Sequence, residues 1–361
     1  MKKENKVLKV GIVGCGTIAQ IMHLPYLKEL EELYEIVALC DVSKKLVRKM
    51  GGLYNVKKIY TDHHKLLNDA DIDAVIILTP LNHSEIAIEA ASMGIHILTE
   101  KPMSISLKEA DEMIQAANKN RVKLMAAHMR IYNPAYEAAK DIINGIKDKI
   151  FIRLHTNCGI TGGAPEFLNQ VAKIYRFDDV PNKVRKEQEV FIEKHLKELT
   201  GLSETSKNLY INTLGGGIHD IYVLRGIFGN PRKVLFTDKW NGWIISVLDY
   251  GEGLRCSYTM GGTADVSDFE AGFTVYGRDK VVTLKFQTSY IKNAPAEIEV
   301  REMDKGMFVR KTIRASWEES FKRELLHFHE CIVKHIPPLT CGETAKQDQK
   351  LLMDICEAYH G

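Results

Sequence analysis

Three kinds of side chain in this 361-residue chain stand where they could handle a hydride, a proton or an anion. Lys101 lies in Ile97 to Ser104, ILTEKPMS, where an apolar run passes straight into Glu100, Lys101 and Pro102. Ligands of a parallel α/β sheet lie beyond the carboxyl ends of its strands. A lysine directly after such a strand therefore faces the crevice, and the proline ring, with a cis bond open to it, fixes the backbone that aims the ammonium. Glu100 and Lys101 alone would equally suit a surface ion pair at a strand end. His219, in TLGGGIHDIYVLRGIFGNP, carries an imidazole able to take or return a proton near neutral pH, beside a glycine run that permits close backbone approach. Finally, VGIVGCGTIAQ holds Gly14-x-Gly16-x-x-Ala19 after an apolar β-branched run, and Asp41 follows 25 residues after Gly16. In that order the first glycine makes the turn, the second admits a pyrophosphate at a helix N-terminus, and the small third residue keeps helix and strand close. A carboxylate at the end of the next strand accepts hydrogen bonds from the adenine ribose and repels a 2′-phosphate, which favours NAD over NADP. Lys44 and Lys45 soften that repulsion, and Asp41 could instead cap the helix that begins near Ser43.

These residues need elements to place them. Hydrophobic periodicity alternates strand and helix: strands over 7–13, 35–40, 74–78, 96–98 and 123–126, with helices over 17–33, 43–50, 60–68, 84–93 and 106–118. The pattern predicts a doubly wound parallel sheet covered on both faces. After about residue 132 the texture changes. A helix over 134–144 leads into strand-like runs over 151–156, 233–236, 244–250, 255–260, 272–276, 281–286 and 297–302, with few helices between, as in a large, open, mainly antiparallel sheet. A charged, helix-like insertion around 182–198 interrupts them, and helices near 317–334 and 343–359 close the chain. The expected division is an α/β dinucleotide-binding Rossmann domain over 6–128 and a substrate-binding and oligomerisation α/β domain over 129–361.

Composition narrows the class. With 45% hydrophobic and 27% charged residues the chain can bury a large core, and 49 basic against 47 acidic residues leave a net charge of +2 with no basic stripe for nucleic acid or an anionic membrane. No apolar run approaches the roughly 18 residues that span a bilayer, and a short charged tail leads directly into the first strand without a signal-peptide region, so a cytoplasmic location is expected. The seven cysteines are scattered without a C-x-x-C pair, which argues for reduced thiols and against a thiolate zinc site. His327 and His329 are too close in sequence to share a helical face, so no metal site is expected.

Thr79-Pro80-x-x-His83, then Gly94-x-His96-x-x-x-Glu100-Lys101-Pro102, together with GCGTIA, resembles the glucose-fructose oxidoreductase, inositol dehydrogenase and MocA family (Gfo/Idh/MocA). The resemblance runs through about residue 135, continues over 129–143, and returns near GGGIHDI and the final FKRELLHFHECI. It implies a nicotinamide-dependent oxidoreductase of sugars, polyols or cyclitols. In that reading Gly14, Gly16, Thr17, Ile18, Asp41, Thr79, Pro80, Asn82, His83, Glu100 and Lys101 hold the cofactor, with His83 closing the site or simply capping the helix that starts near Ser84, and Glu100 orienting the lysine or the nicotinamide ribose. Lys101 lies beside the nicotinamide and polarises the reacting oxygen, and His219 exchanges the proton. Arg130 and Tyr132, after the last strand of the first domain, and Asp220 and Tyr222 line the substrate crevice. The family also implies homodimers or homotetramers formed through the open sheet face.

One departure stands out. The family's usual acid four residues before the histidine is Gly215 here, and the acid three residues after it is Tyr222. Asp220 points about 100° away from its neighbour on a helix, so Tyr222, Asn212 or a substrate group remains to fill the place. The main reading is oxidation of a ring secondary alcohol with NAD. Two alternatives stay open: glycoside cleavage through transient oxidation, elimination, hydration and re-reduction, and an impaired NAD-binding sensor or structural module. The insertion over 180–206, with Arg185, Lys186 and Lys194, is expected to cover substrate, mediate subunit contact, or lie as a solvated helix.

Overall fold

The computed structural model describes residues 6–80, 82–159, 162–263 and 265–360. Strand β1 (Leu8–Val13) passes through the glycine loop into a π-helical turn, Ala19–His23, that continues as α1 (Leu24–Glu29). There follow β2 (Tyr34–Cys40), α2 (Lys44–Tyr54), β3 (Lys58–Tyr60), α3 (His63–Asp69), β4 (Ala74–Ile77), α4 (His83–Ser92), β5 (His96–Thr99), α5 (Leu107–Asn120) and β6 (Leu124–Ala126). The six strands form one parallel sheet in the order β3-β2-β1-β4-β5-β6. Helices must cover both faces of such a sheet, and all four residues of β4 are accordingly fully buried. Its core includes Val13, Ala38, Leu66, Ile77, Ile97 and Met113.

The remaining elements are α6 (Pro134–Asn144), β7 (Lys149–Cys158), α7 (Pro165–Val171), α8 (Asn182–Glu198), α9 (Glu204–Phe228), β8 (Lys233–Trp240), β9 (Trp243–Gly251), β10 (Leu254–Gly261), β11 (Phe269–Gly277), β12 (Lys280–Phe286), β13 (Glu297–Asp304), β14 (Met307–Ile313), α10 (Ser320–Val333) and α11 (Gly342–Glu357). The eight strands pair in the order β14-β13-β12-β11-β7-β10-β9-β8, antiparallel except for β7 with β10. Both sheets match the expected α/β class. Alternation along the second sheet is clean: Ile152, Leu154, Cys256, Tyr258, Phe273 and Val275 are buried, while Arg153, His155, Ser257 and Thr259 point to the other face and are more accessible. Its edge strands β8 and β14 expose Phe236, Trp240, Met307 and Phe308.

The chain packs as two compact units. The first comprises the chain up to His128 with Lys173–Thr200 and Phe321–Gln347; the second comprises Met129–Ala172, Gly201–Ser320 and the chain from Asp348. The inserted helix α8 thus belongs with the Rossmann sheet, and a capping box explains how it is held. Ser106 Oγ accepts from the Glu109 N–H at 3.1 Å while Glu109 Oε2 accepts from the Ser106 N–H at 3.0 Å, closing the start of α5. The other oxygen of Glu109 takes the Ser84 hydroxyl at 2.6 Å and lies 3.4 Å from His195 Nε2, and Glu198 Oε2 accepts from the Ser106 hydroxyl at 3.0 Å. Of the insertion's cations, Arg185 pairs with Asp178 at 3.0 Å.

Four elements differ from the sequence reading. β3 precedes the helix expected over 60–68, which is found as α3, and was not foreseen because Lys58–Tyr60 is too short to show an alternation. β14 holds Met307, Phe308, Val309 and Ile313, but its side chains are mostly exposed and show no regular alternation of buried and exposed positions. α7 is a short helix started by Pro165. α9 runs for 25 residues through four glycines, of which the run Gly215 to Gly217 would count as a break on propensity alone. All seven cysteines are free, and no helix among the described residues is long and apolar enough to cross a membrane.

Candidate active site

In the first unit the glycine loop is shaped by close contacts. Gly14 has φ +100, and a Cβ there would lie 2.6 Å from the Leu78 carbonyl carbon and 2.8 Å from the Thr79 nitrogen, so only glycine fits between β1 and β4. At Gly16 a Cβ would meet nothing within 4 Å; the loop leaves open space there, at the start of the helix. Thr17 and Ile18 in that first turn are half-buried, and Ala19 is fully buried against the sheet. A cradle that is blocked at its first glycine and open at its second fits a diphosphate met by helix N–H groups.

Asp41 braces this loop. Its Oδ2 accepts from the Cys15 N–H at 2.7 Å and its Oδ1 from the Ser43 N–H at 2.8 Å. Burial pushes its carboxyl up, the two N–H bonds pull it down, and the charge of Asp179 adds to the push. The helix cap is Ser43, whose Oγ accepts from the Leu46 N–H at 3.1 Å, so Asp41 does not serve as the cap of α2. Two bonds leave a carboxylate further acceptor sites for ribose hydroxyls.

At the end of β4, Thr79 is half-buried and Pro80 exposed, and Asn82 adopts a left-handed conformation with its amide donating to Glu85 at 2.6 Å. His83 is 4% exposed, with Nδ1 at 2.8 Å from the Pro102 carbonyl and Nε2 at 2.6 Å from the Thr79 carbonyl. It ties the turn after β4 to the turn after β5.

That second turn carries the lysine. The Lys101–Pro102 peptide is cis, Lys101 is half-buried, and its N–H donates to Glu100 Oε2 at 3.1 Å. Glu100 is itself pinned through Oε1 to His23 Nε2 at 2.9 Å. Burial alone would raise this carboxyl, but the bond and charge of His23, with the Lys101 charge, hold it below the usual carboxylate range. Glu100 thus fixes the lysine backbone. His23, fully buried in the π-helical turn and edge-on to Phe321 at 5.4 Å, is a supporting residue that no sequence motif marked.

The second unit holds the histidine on α9. His219 is half-buried, and its Nδ1 lies 2.8 Å from the Tyr222 hydroxyl. Tyr222 therefore fills the place of the missing acid on the side three residues after the histidine, whereas the Asn212 amide donates to the Asn208 carbonyl and turns away. The Tyr222 oxygen also accepts from the Arg130 N–H at 3.4 Å. Asp220 accepts from the Thr156 hydroxyl at 2.8 Å and from Arg130 Nη1 at 3.2 Å, and the Arg130 guanidinium lies 4.9 Å from the Phe286 ring centroid. Burial pushes the Asp220 carboxyl up against the opposing pull of Arg130. Arg130, Tyr132, Asp220 and Tyr222 are 5%, 3%, 1% and 1% exposed. Arg130 thus joins Asp220 and Tyr222 in one buried group, in which Arg130 Nε and Asp220 Oδ2 have no hydrogen-bond partner among the described residues. Gly215 is exposed with open space at its Cβ position, and Gly217 lets α9 press against Tyr258, whose hydroxyl would be 3.1 Å from an added Cβ.

Among the described residues, Asp62, His63 and His64 place ligand atoms within 4.8 Å of one another, but Asp62 caps α3 and His64 pairs with Glu89 at 2.6 Å.

A parallel sheet with strand order 3-2-1-4-5-6, a glycine cradle after β1 and a carboxylate after β2 defines a dinucleotide-binding Rossmann unit. Residues 8–128 match the Gfo/Idh/MocA family model described as "Oxidoreductase family, NAD-binding Rossmann fold", so the match covers the Rossmann part of the chain. The myo-inositol 2-dehydrogenase of Thermotoga maritima is 31% identical over 137 residues, which is 38% of this chain and 40% of that protein. An inositol 2-dehydrogenase of Salmonella typhimurium is 33% identical over 141 residues, 38% of this chain and 41% of that protein. The match thus spans about 40% of the length of these curated relatives. Among solved structures, an Agrobacterium radiobacter oxidoreductase in complex with NAD+, L-tartaric acid and magnesium superposes with a TM-score of 0.71 at 18% identity, covering 98% of this chain and 96% of that one. A 3-ketoreductase from Actinomadura kijaniata in complex with TDP-benzene and NADP gives 0.73 at 16% identity, covering 98% of both chains. At such identity these two show the fold shared over nearly the whole chain.

Proposed function

We propose that this protein is an NAD-dependent dehydrogenase that converts a ring secondary alcohol of a sugar, glycoside or cyclitol to a ketone. The observation that carries the reading is Lys101, set directly after β5 in the same sheet as the glycine cradle, its backbone N–H held by Glu100. Gly14, Gly16, Thr17, Ile18 and Asp41 would hold the dinucleotide, with Thr79, Pro80 and Asn82 beside it. A bound nicotinamide supplies a hydride acceptor. The Lys101 ammonium stabilises negative charge on the alcohol oxygen, and His219 takes the hydroxyl proton at Nε2 while Tyr222 holds Nδ1. One hydride and one proton leave the carbinol, and a ketone remains. Asp41 supports NAD over NADP as the cofactor. The relatives named for inositol support a cyclitol or sugar, since inositol presents ring secondary alcohols of this kind. We also propose a homodimer or homotetramer built on the second sheet, whose edges expose Phe236 and Phe308; sedimentation as a monomer would reject that assembly.

Incubation with NAD and a panel of cyclitols, sugars and aryl glycosides tests the function through absorbance of reduced nicotinamide. Accumulating NADH supports the dehydrogenase. Released aglycone without net NADH would replace it with a transient-oxidation glycosidase, and measurable NAD binding without any turnover would leave a sensor or structural role.

A further inference from the structure

The segment that begins the insertion reaches the cofactor end of the Rossmann sheet and is fastened there at two places. The Gln20 amide, one turn into the helix after Gly16, donates to the Tyr175 carbonyl at 3.0 Å, and its oxygen accepts from the Tyr175 N–H at 2.8 Å. Four residues later the Asp179 carboxylate takes the Ser43 hydroxyl on one oxygen and the Lys45 N–H, at 2.9 Å, on the other. Between these points the Lys49 ammonium sits 4.7 Å from the Tyr175 ring centroid. The carboxylate therefore arrives on a fixed strap at the start of α2, the turn that also holds Asp41.

That turn is where dinucleotide-binding sheets separate their two cofactors. The adenine ribose is held at the end of β2, and a cation or free helix amides nearby receive the 2′-phosphate of NADP. Lys44, Lys45 and the first N–H groups of α2 would suit such a phosphate. In this chain Asp179 already occupies the Lys45 amide and the Ser43 hydroxyl and lies against the charge of Lys45. The Ser43 hydroxyl and Lys45 N–H hold Asp179 below the usual carboxylate range, so it is ionised at neutral pH.

We propose that Asp179 is a cofactor-specificity residue: it takes the anion-binding groups at the start of α2 that would otherwise receive an adenosine 2′-phosphate, and together with Asp41 it excludes NADP. This rests on the reading that the chain binds NAD in the glycine cradle. A phosphate monoester carries nearly two negative charges at neutral pH, so it would meet two carboxylates and find the helix amide already used.

The test is binding, without substrate. Dissociation constants for NAD and for NADP are measured by calorimetry on the full chain as wild type, Asp179→Asn, Asp179→Ala and Asp41→Asn. Asparagine keeps the shape and the acceptor for the Lys45 N–H while removing the charge. The wild type is expected to bind NAD more tightly than NADP. Asp179→Asn should move the ratio of the two constants about tenfold toward NADP, Asp179→Ala further by freeing the amide, and raised salt should shrink the wild-type ratio. If both Asp179 variants keep the wild-type ratio, or lose both cofactors equally, the segment is only structural and the proposal falls. A wild type without preference for NAD would overturn the NAD reading itself, visible before any variant is made, and this proposal with it. Because the ratio compares two ligands on one protein, partial loss of stability in a variant does not blur the outcome.

Discussion

The two loop glycines make opposite demands, and replacing each by alanine separates folding from cofactor binding. At Gly14 a Cβ would sit 2.6 Å from the Leu78 carbonyl carbon, 2.7 Å from its oxygen and 2.8 Å from the Thr79 nitrogen, all backbone atoms of the strand alongside. No side chain can rotate out of the way. Overpacking of this kind costs about 1–3 kcal/mol, and forcing an L residue to φ +100 adds about 1–2 kcal/mol. Restricting the unfolded chain returns about 0.4–1 kcal/mol, so Gly14→Ala should destabilise the Rossmann unit by about 1–4.5 kcal/mol, a fall in its melting temperature of roughly 3–14 °C. Gly16 has no atom within 4 Å of its Cβ position and no left-handed φ. Gly16→Ala should therefore melt within about 2 °C of wild type, yet place a methyl where the backbone must approach a diphosphate and weaken NAD binding roughly 30–100-fold. Differential scanning calorimetry without cofactor and titration calorimetry with NAD read the two effects independently. A Gly16→Ala variant that binds NAD like wild type would refute the assignment of the cradle, and a Gly14→Ala variant that melts like wild type would refute the backbone contact.

Three further outcomes follow from the same geometry. Tyr222→Phe removes the hydroxyl that holds His219 Nδ1 and accepts the Arg130 N–H, and should lower kcat by about tenfold with a stability loss near 1 kcal/mol; an unchanged kcat would show that the tyrosine does not orient the imidazole. Gly215→Asp enters open space one turn before His219 and, by replacing an exposed helical glycine, should hold or raise the melting temperature while keeping or increasing kcat; a large drop in stability would contradict the open surface there. His96 is pushed down to about 4, chiefly by burial and then by the charge of Lys123, and its Nδ1 accepts from the Lys123 N–H at 2.9 Å, a bond that needs the neutral ring. Its folded value lies below its unfolded one, so stability should decline as pH falls from about 6.5 toward 4, and a ring titration followed by NMR should show a midpoint near 4 rather than 6.5.

Much of this arrangement was written locally in the chain. Strand and helix periodicities placed five of the six Rossmann strands, the Gly14 to Ala19 spacing marked the cradle, and Pro102 marked the turn that sets Lys101. The spacing of three between His219 and Tyr222 put both on one helical face. What stayed hidden depended on tertiary contacts. His23 reads as an ordinary helical residue until the π-helical turn and β5 bring it to Glu100. Arg130, Asp220 and Tyr222 have the chemistry of substrate ligands, and their burial beside one another depends on packing that no local pattern announces. Asp179 meets Ser43 across 136 residues, with no local pattern to announce it.

Lys101→Met offers the most direct measurement, because methionine keeps the length and packing of the side chain while removing its charge. NAD affinity by calorimetry should stay within about threefold of wild type. Formation of reduced nicotinamide with a turned-over alcohol should fall by about a hundredfold to a thousandfold, as expected when one charge that stabilises a developing oxyanion is lost. Full turnover in that variant would contradict the account, whatever the affinity for NAD.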